Sequence, residues 1–127
     1  MQERQGLEER VPLFAARCVN VCEAIPAKRL KAGHFKDQLF RSATSVSANY
    51  AEAEEPESRK DFIHKMKVAM KELAESRSWL RIIAASGYLD KKRLDPLIEE
   101  SKELTKMMGA SVATARRKLE QKGNTEI

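Results

Sequence analysis

Apolar residues recur every three or four positions along four stretches of the chain, which is the spacing of amphipathic helices. This spacing predicts helices over residues 7–25, 34–53, 58–86 and 96–120. Pro26 and Pro56 separate the first three helices, and Gly87 is placed to end the third in the left-handed conformation. Short connections between four such helices predict an all-α protein, an up-down-up-down antiparallel four-helix bundle forming a single domain over residues 1–127.

Capping signals refine the predicted helix starts. Ser58, with Asp61 three residues later, resembles a capping box, in which the serine hydroxyl accepts from a backbone N–H of the first turn. Asp95 and Pro96 form an N-cap and first-position pair, which predicts that the fourth helix begins there. Pro12 is expected in the first turn of the first helix, where its missing N–H removes no intrahelical bond.

The second predicted helix is crowded with small residues, namely Ser42, Ala43, Ser45, Ser47, Ala48 and Ala51. Small side chains let helix backbones approach closely, which favours a tightly packed bundle over an open catalytic cleft. Asn49 and Glu52 interrupt this run. We interpret both as structural polar pins that hydrogen-bond backbone groups or basic residues such as Arg41 or Arg77.

Composition narrows the class of protein further. Charged residues make up 34% of the chain, Gly and Pro are few, and no apolar run approaches the roughly 20 residues that cross a bilayer. The first ten residues contain no apolar stretch, so we expect no secretory signal and a cytoplasmic location. Cys18 and Cys22 lie four residues apart on one predicted helix, where reduced thiols serve as small core hydrophobes.

The net charge of +5 favours acidic partners and makes nucleic acid the first candidate. The candidate nucleic-acid-binding residues are Lys28, Arg29, Lys31, Lys36 and Arg41 around the first connection, and Arg116, Arg117 and Lys118 at the end of the fourth helix. An up-down bundle places these groups at opposite ends, so we expect two patches that bind the phosphate backbone with little sequence choice. Ordinary solvation of helix faces explains the same charges equally well.

Catalytic signatures are missing from the sequence. It has no Gly-x-Ser-x-Gly elbow, no Gly-rich phosphate loop and no Glu-x-x-His pair of the kind that holds metal in carboxylate bundles. His64 and the nearby glutamates therefore make a metal–carboxylate enzyme the least favoured function. We expect no catalytic residues, no metal, no cofactor and no enzymatic activity.

The stretch QLFRSATSVSANYAEA resembles the signature of a four-helix-bundle family named for proteins encoded in intervening sequences of bacterial 23S rRNA genes. The matching positions are Gln38, Leu39, Arg41, Ala43, Ser45, Val46, Ala48, Asn49, Ala51 and Glu52. The third helix is similar to that of the family through Ser58, Asp61, Phe62, Ile63, Ala69 and Leu73, followed by Gly87-Tyr88-Leu89. Two positions depart from the pattern, Ala53 where the family has Gly and Ser47 where it often has Pro.

This resemblance implies a homopentamer without known enzymatic activity. A sister group, the accessory proteins of diversity-generating retroelements, forms basic pentamers that engage a reverse transcriptase and nucleic acid. The sequence thus supports two hypotheses. The first is an oligomeric protein that binds RNA or DNA, or assists a nucleic-acid enzyme such as a reverse transcriptase. The alternative is a protein-interaction scaffold with no nucleic-acid role.

Overall fold

The computed structural model describes residues 6–28 and 31–125, which form four helices joined by short connections. They are α1 (Leu7–Ala24), α2 (Ala32–Glu54), α3 (Arg59–Ala85) and α4 (Lys91–Thr125). No strand occurs in this part of the chain, so the prediction of an all-α protein is confirmed. Over the same residues, no helix combines the length and the apolar character that a membrane span requires.

The helices pack as a ring of four. α1 packs against α2 and α4, and α3 packs against the same two helices. One apolar stripe from each helix fills the centre, including Phe14 from α1, Leu39 from α2, Leu73 from α3 and Leu104 from α4. The predicted four-helix bundle is therefore confirmed.

Side-chain contacts link neighbouring helices at more than one level. Between α2 and α3, Ser42 contacts Ser76, and Glu52 contacts Lys65. Between α3 and α4, Arg77 bonds Ser101 and Thr105, and a Cβ built on Gly109 lies 3.7 Å from the Met70 methyl carbon.

Three fully buried serines lie in these helix contacts, and each hydroxyl has a partner. Ser76 Oγ lies 2.9 Å from both Ser42 Oγ and the Glu72 carbonyl. Ser101 Oγ donates to the Ile98 carbonyl and accepts from the Arg77 guanidinium. Each serine hydroxyl is thus satisfied within its own helix, and the additional bonds Ser76–Ser42 and Arg77–Ser101 link α3 to α2 and to α4.

Local capping signals hold for α3. Ser58 Oγ accepts from Asp61 N at 3.0 Å, and Gly87 adopts φ +75° after the last turn. Gly87 N and Tyr88 N bond the carbonyls of Ala84 and Ile83, which is the hydrogen-bond pattern of a Schellman motif. Each of the first three helices begins and ends within two residues of its predicted bounds.

The predicted start of α4 was wrong. The helix begins at Lys91 and contains Pro96, while Asp90 caps it by accepting from Lys92 N at 3.1 Å. Leu94 is fully buried in the core, and its burial draws residues 91–95 into helix despite the missing N–H of Pro96. Pro12 likewise lies at the sixth position of α1, beyond the first turn where it was expected.

Lys31 begins α2 in a conformation that is unfavourable for a lysine. Its φ of 71° and ψ of 2° lie in the left-handed region, and it contributes no side-chain cap. The first turn of α2 is instead held by aromatic packing, since the Phe35 ring lies 5.1 Å from Tyr88 and 6.0 Å from Trp79. These tertiary contacts oppose the local preference of Lys31.

An ion pair joins the start of α1 to α4. Arg10 Nε and Nη2 donate to the two Glu100 carboxylate oxygens at 3.0 and 2.6 Å, and the side chains are 12% and 19% exposed. This carboxylate raises the pKa of Arg10 by accepting its hydrogen bonds. The pair Lys102–Glu99, with 43% and 69% exposure, lies on the surface of α4.

We expect Arg10→Ala to lower the free energy of unfolding by about 1–3 kcal/mol, because Glu100 loses its partner in a largely buried site. Lys102→Ala, the control at the exposed pair, should cost at most about 1 kcal/mol. Urea denaturation of both variants measures the difference. Equal losses would show that the Arg10 pair contributes no more than a surface pair.

We expect Lys31→Gly to raise the free energy of unfolding by up to about 1 kcal/mol. Glycine removes the left-handed strain, and the larger entropy of its unfolded state offsets part of the gain. Lys28→Gly removes the same charge from the same connection without a positive φ, so thermal denaturation should show no gain for it. Identical shifts for the two variants would contradict this explanation.

Candidate functional site

The connection between α1 and α2 presents the first group of cations. Lys28 and Lys31 are exposed there, and Lys36 is half-buried in the second turn of α2. Arg29, also predicted to bind nucleic acid, lies outside the described residues. Within those residues, no ion pair joins Lys28, Lys31 or Lys36 to a carboxylate, so their charges are available to a ligand.

A second run of cations, which the sequence reasoning missed, follows the α3–α4 connection. Lys91, Lys92 and Arg93 are exposed in the first turn of α4 and likewise have no carboxylate partner among the described residues. Tyr88, three residues before Lys91, packs on Phe35, four residues after Lys31. The two connections therefore lie at the same end of the bundle. The three consecutive cations in the sequence could have indicated this group. They were overlooked because residues 88–95 were predicted to form a connection and not the start of a helix.

Arg41 has a different environment from the other candidates. It lies on α2 and forms ion pairs with Glu72 and Glu75 of α3, the first at 3.3 Å from its Nη1. Glu75 also accepts from Trp79 Nε1 at 3.1 Å. Two carboxylates thus neutralise this guanidinium and engage it in the α2–α3 contact.

The end of α4 presents the other predicted patch. Arg116, Arg117 and Lys118 are all exposed, and none has an ion pair within the described part of the chain. Arg117 Nη2 donates to Thr114 Oγ1 at 3.2 Å, which leaves its charge uncompensated. Three consecutive helical positions point about 100° apart, so this patch spreads around the helix rather than facing one way.

The two predicted polar pins act in different ways. Asn49 Nδ2 donates to the Ser45 carbonyl at 2.8 Å, one turn earlier in the same helix. Glu52 is exposed, and its Oε2 accepts from Lys65 Nζ of α3 at 2.9 Å, a bond that raises the pKa of Lys65. Glu52 therefore links two helices, whereas the bond of Asn49 stays within α2.

Arg77, expected as a possible partner of these pins, bonds neither of them and contacts α4 instead. Its Nε donates to Ser101 Oγ, and its Nη2 donates to the Ser101 carbonyl and to Thr105 Oγ1. All these acceptors are neutral groups of α4. Burial lowers the pKa of Arg77, and the nearby Arg81 lowers it further. The Arg77 guanidinium thus joins α3 to α4 through hydrogen bonds.

In the described part of the chain, the two cysteines are free thiols, and the residue types that could bind a metal ion do not come together in one group. Cys18 is buried, and Cys22 is half-buried with its Sγ 3.4 Å from the Lys36 carbonyl. Both are free thiols, and burial raises the pKa of each. In this part of the chain, no three His, Cys, Asp or Glu side chains come together in a group that could hold a metal ion.

Several apolar side chains of α2 are exposed. Phe40 is 51% exposed, and Ala48 and Ala51 of the small-residue run are also exposed. The three positions lie within about 80° of one another around the helix, and we call them the outward face of α2. None of them belongs to the buried core, so core packing does not account for the small residues at positions 48 and 51.

Comparisons with known proteins agree on the family. The model for the 23S rRNA-intervening sequence protein family matches residues 9–110. Among solved structures, a protein of unknown function from the S23 ribosomal protein family of Bacteroides thetaiotaomicron is similar at 29% identity and a TM-score of 0.77. That similarity covers 84% of this chain and 98% of the other. Comparison with curated proteins finds no match. The chain belongs to the 23S rRNA-intervening sequence protein family.

Proposed function

We propose that this chain is a non-enzymatic, homo-oligomeric protein of the cytoplasm that binds RNA or DNA through basic patches at its helix ends. The observation that carries the proposal is the set of exposed cations at the helix ends that have no ion pair among the described residues. Arg10 and Arg41, along the helices, are by contrast paired with carboxylates. Unpaired exposed cations can exchange their counterions for phosphates, which supplies affinity without sequence choice.

The arrangement of the patches follows from an up-down-up-down antiparallel order of the helices. The contacts Ser42–Ser76, Glu52–Lys65 and Arg77–Ser101 support this order, since residue numbers rise on one helix as they fall on the next. Lys28, Lys31 and Lys91–Arg93 then form one patch at one end of the bundle. Arg116–Lys118 form the other patch at the opposite end.

Oligomerisation is part of the proposal because it multiplies each patch. We propose a homopentamer in which the outward face of α2 contacts a second copy. The exposed Phe40, Ala48 and Ala51 support this role, because small residues permit close helix approach and Phe40 adds apolar area. Repeated patches raise the affinity for a long nucleic acid, because once one patch has bound, the others are held at a high effective concentration near the rest of the strand.

A protein-interaction scaffold remains the second candidate. Leu13 and Phe40, on α1 and α2, are 49% and 51% exposed, and exposed apolar side chains are typical of contacts with other proteins. Assistance to a nucleic-acid enzyme such as a reverse transcriptase belongs to the first function, whereas this second candidate has no nucleic-acid role. Binding that persists at high salt would favour this second function.

We expect the double variant Arg116→Gln/Arg117→Gln to weaken binding to duplex DNA and RNA and to reduce its salt dependence. Each lost phosphate contact lowers the slope of log K against log salt by roughly 0.9 for duplex DNA. Arg41→Gln is the control, because its charge is already neutralised by Glu72 and Glu75. A titration series at several salt concentrations measures both. The same slope in parent, double variant and control would contradict the proposal.

We expect Ala48→Arg to reduce the mass of the particle in solution, because a long charged side chain prevents close approach of a second copy at α2. Ala74→Arg makes the same substitution at an exposed alanine of α3 and should leave the mass unchanged. Sedimentation measures the mass, and circular dichroism verifies that both variants are folded. An unchanged mass for Ala48→Arg would place the interface on another face.

A further inference from the structure

An open groove separates the beginning of α3 from the last turns of α4. Its volume is about 940 Å³, near the upper end of the roughly 300–1,000 Å³ of ligand pockets. It lies where α4, with 35 residues, flanks the first turn of the 27-residue α3. Arg10 of α1 bonds α4 at Glu100 and Met107, both before the groove.

The floor of the groove is apolar. Phe62 of α3 and Leu119 of α4 are half-buried along it, although they occupy inward-facing positions of their helices. The α4 wall continues through Ala110, Ser111 and Thr114 at three-four spacing. Small side chains over successive turns permit close approach of another helix, and the two flanking apolar residues supply area for it to bury.

The rim of the groove carries one sign of charge. Arg59, Lys60, Lys118 and Lys122 line it, and none of the lining residues is acidic. Within the described residues, no ion pair compensates Arg59, Lys60 or Lys118. An apolar floor with an uncompensated basic rim is complementary to a segment with one apolar face and acidic flanks.

Most of the α4 wall of the groove lies beyond the family match. That match ends at residue 110, whereas the wall runs from Ala110 to Lys122. The groove therefore depends in part on residues that the shared family features do not describe. It adds a function beyond the proposed nucleic-acid binding. The two surfaces share Lys118, whereas Arg116 and Arg117 lie outside the groove.

We propose that the groove between α3 and α4 binds an acidic amphipathic helix of a partner protein. The apolar face of that helix packs on Phe62, Ala115 and Leu119, and its acidic flanks face Arg59, Lys60 and Lys118. This is helix-in-groove recognition, in which buried apolar residues give affinity and flanking charges select the partner and its orientation. The apolar floor distinguishes this site from a phosphate-binding patch, which requires cations without such a floor.

The first test fills the groove. Ala110→Trp places a large ring at an exposed position of the wall, and Ala113→Trp places the same ring at an exposed position of α4 outside it. The probe is a labelled synthetic peptide of about four helical turns, with Leu at three-four spacing and Glu elsewhere. A peptide of the same composition in scrambled order is its control. We expect Ala110→Trp to weaken peptide binding at least tenfold and Ala113→Trp less than twofold, corresponding to about 1.4 kcal/mol or more against about 0.4.

The second test reverses charges. Lys118→Glu changes the rim, and Arg116→Glu makes the same change on the exposed surface of α4 outside the groove. We expect Lys118→Glu to weaken peptide binding more than Arg116→Glu, by roughly two- to fivefold, since rim charges contribute modestly. Single-stranded RNA, titrated in parallel, should be weakened by both variants. RNA binding that neither variant weakens, together with the expected loss of peptide binding in Lys118→Glu, would therefore contradict the nucleic-acid proposal alone.

Three results would overturn the groove proposal. The first is equal peptide affinity for Ala110→Trp and Ala113→Trp, or equal affinity of the parent for the ordered and scrambled peptides. The second is loss of RNA binding in Ala110→Trp with unchanged peptide binding, which would make the groove a nucleic-acid surface. The third is a reduced particle mass for Ala110→Trp but not for Ala113→Trp, which would assign the groove to a second copy of the chain. Thermal denaturation of every variant confirms folding.

Discussion

The packing of α3 against two helices at once is the constraint on which the rest of the structure depends. Successive residues of a helix point about 100° apart, so Ser76 faces α2 while Arg77 faces α4. A shift of one turn would break the Ser76–Ser42 bond, while Ser76 kept the carbonyl of Glu72 in its own helix, and would remove the α4 acceptors of Arg77. Because a partly buried guanidinium that loses its acceptors costs about 1–3 kcal/mol, these bonds align α3 with its neighbours more narrowly than apolar packing alone. α1 then closes the ring through its apolar stripe and Arg10.

Helix packing also pairs part of the charge of the protein. Arg41 lies beside Glu72, and Lys65 beside Glu52, each across a contact between two helices. The cations of the two connections at one end of the bundle and those of Arg116–Lys118 on α4 have no ion pair among the described residues. The net charge of +5 does not reveal this difference. The location of the unpaired cations is therefore a stronger argument for binding than the net charge.

Local sequence signals predicted the fold well where they coincide with packing. The apolar periodicity gave four helices and their inward faces, and Ser58 and Gly87 marked the ends of α3 as expected. The start of α4 was missed because Asp95-Pro96 is a good local signal that the burial of Leu94 overrides. The candidate site was less accessible to sequence reasoning, since nothing local reveals that Arg41 is neutralised across the helix contact or that Lys91–Arg93 belong to a helix end.

The central claim is that unpaired cations at the helix ends of an oligomer bind nucleic acid. The most direct measurement is the mass in solution, by sedimentation, at low and high salt with and without a structured RNA fragment. The account predicts an oligomer whose mass increases with RNA at low salt and returns to that of the protein alone at high salt. An oligomer whose mass is unchanged by RNA at low salt would contradict the claim, and a monomer would contradict the role of α2 in assembly.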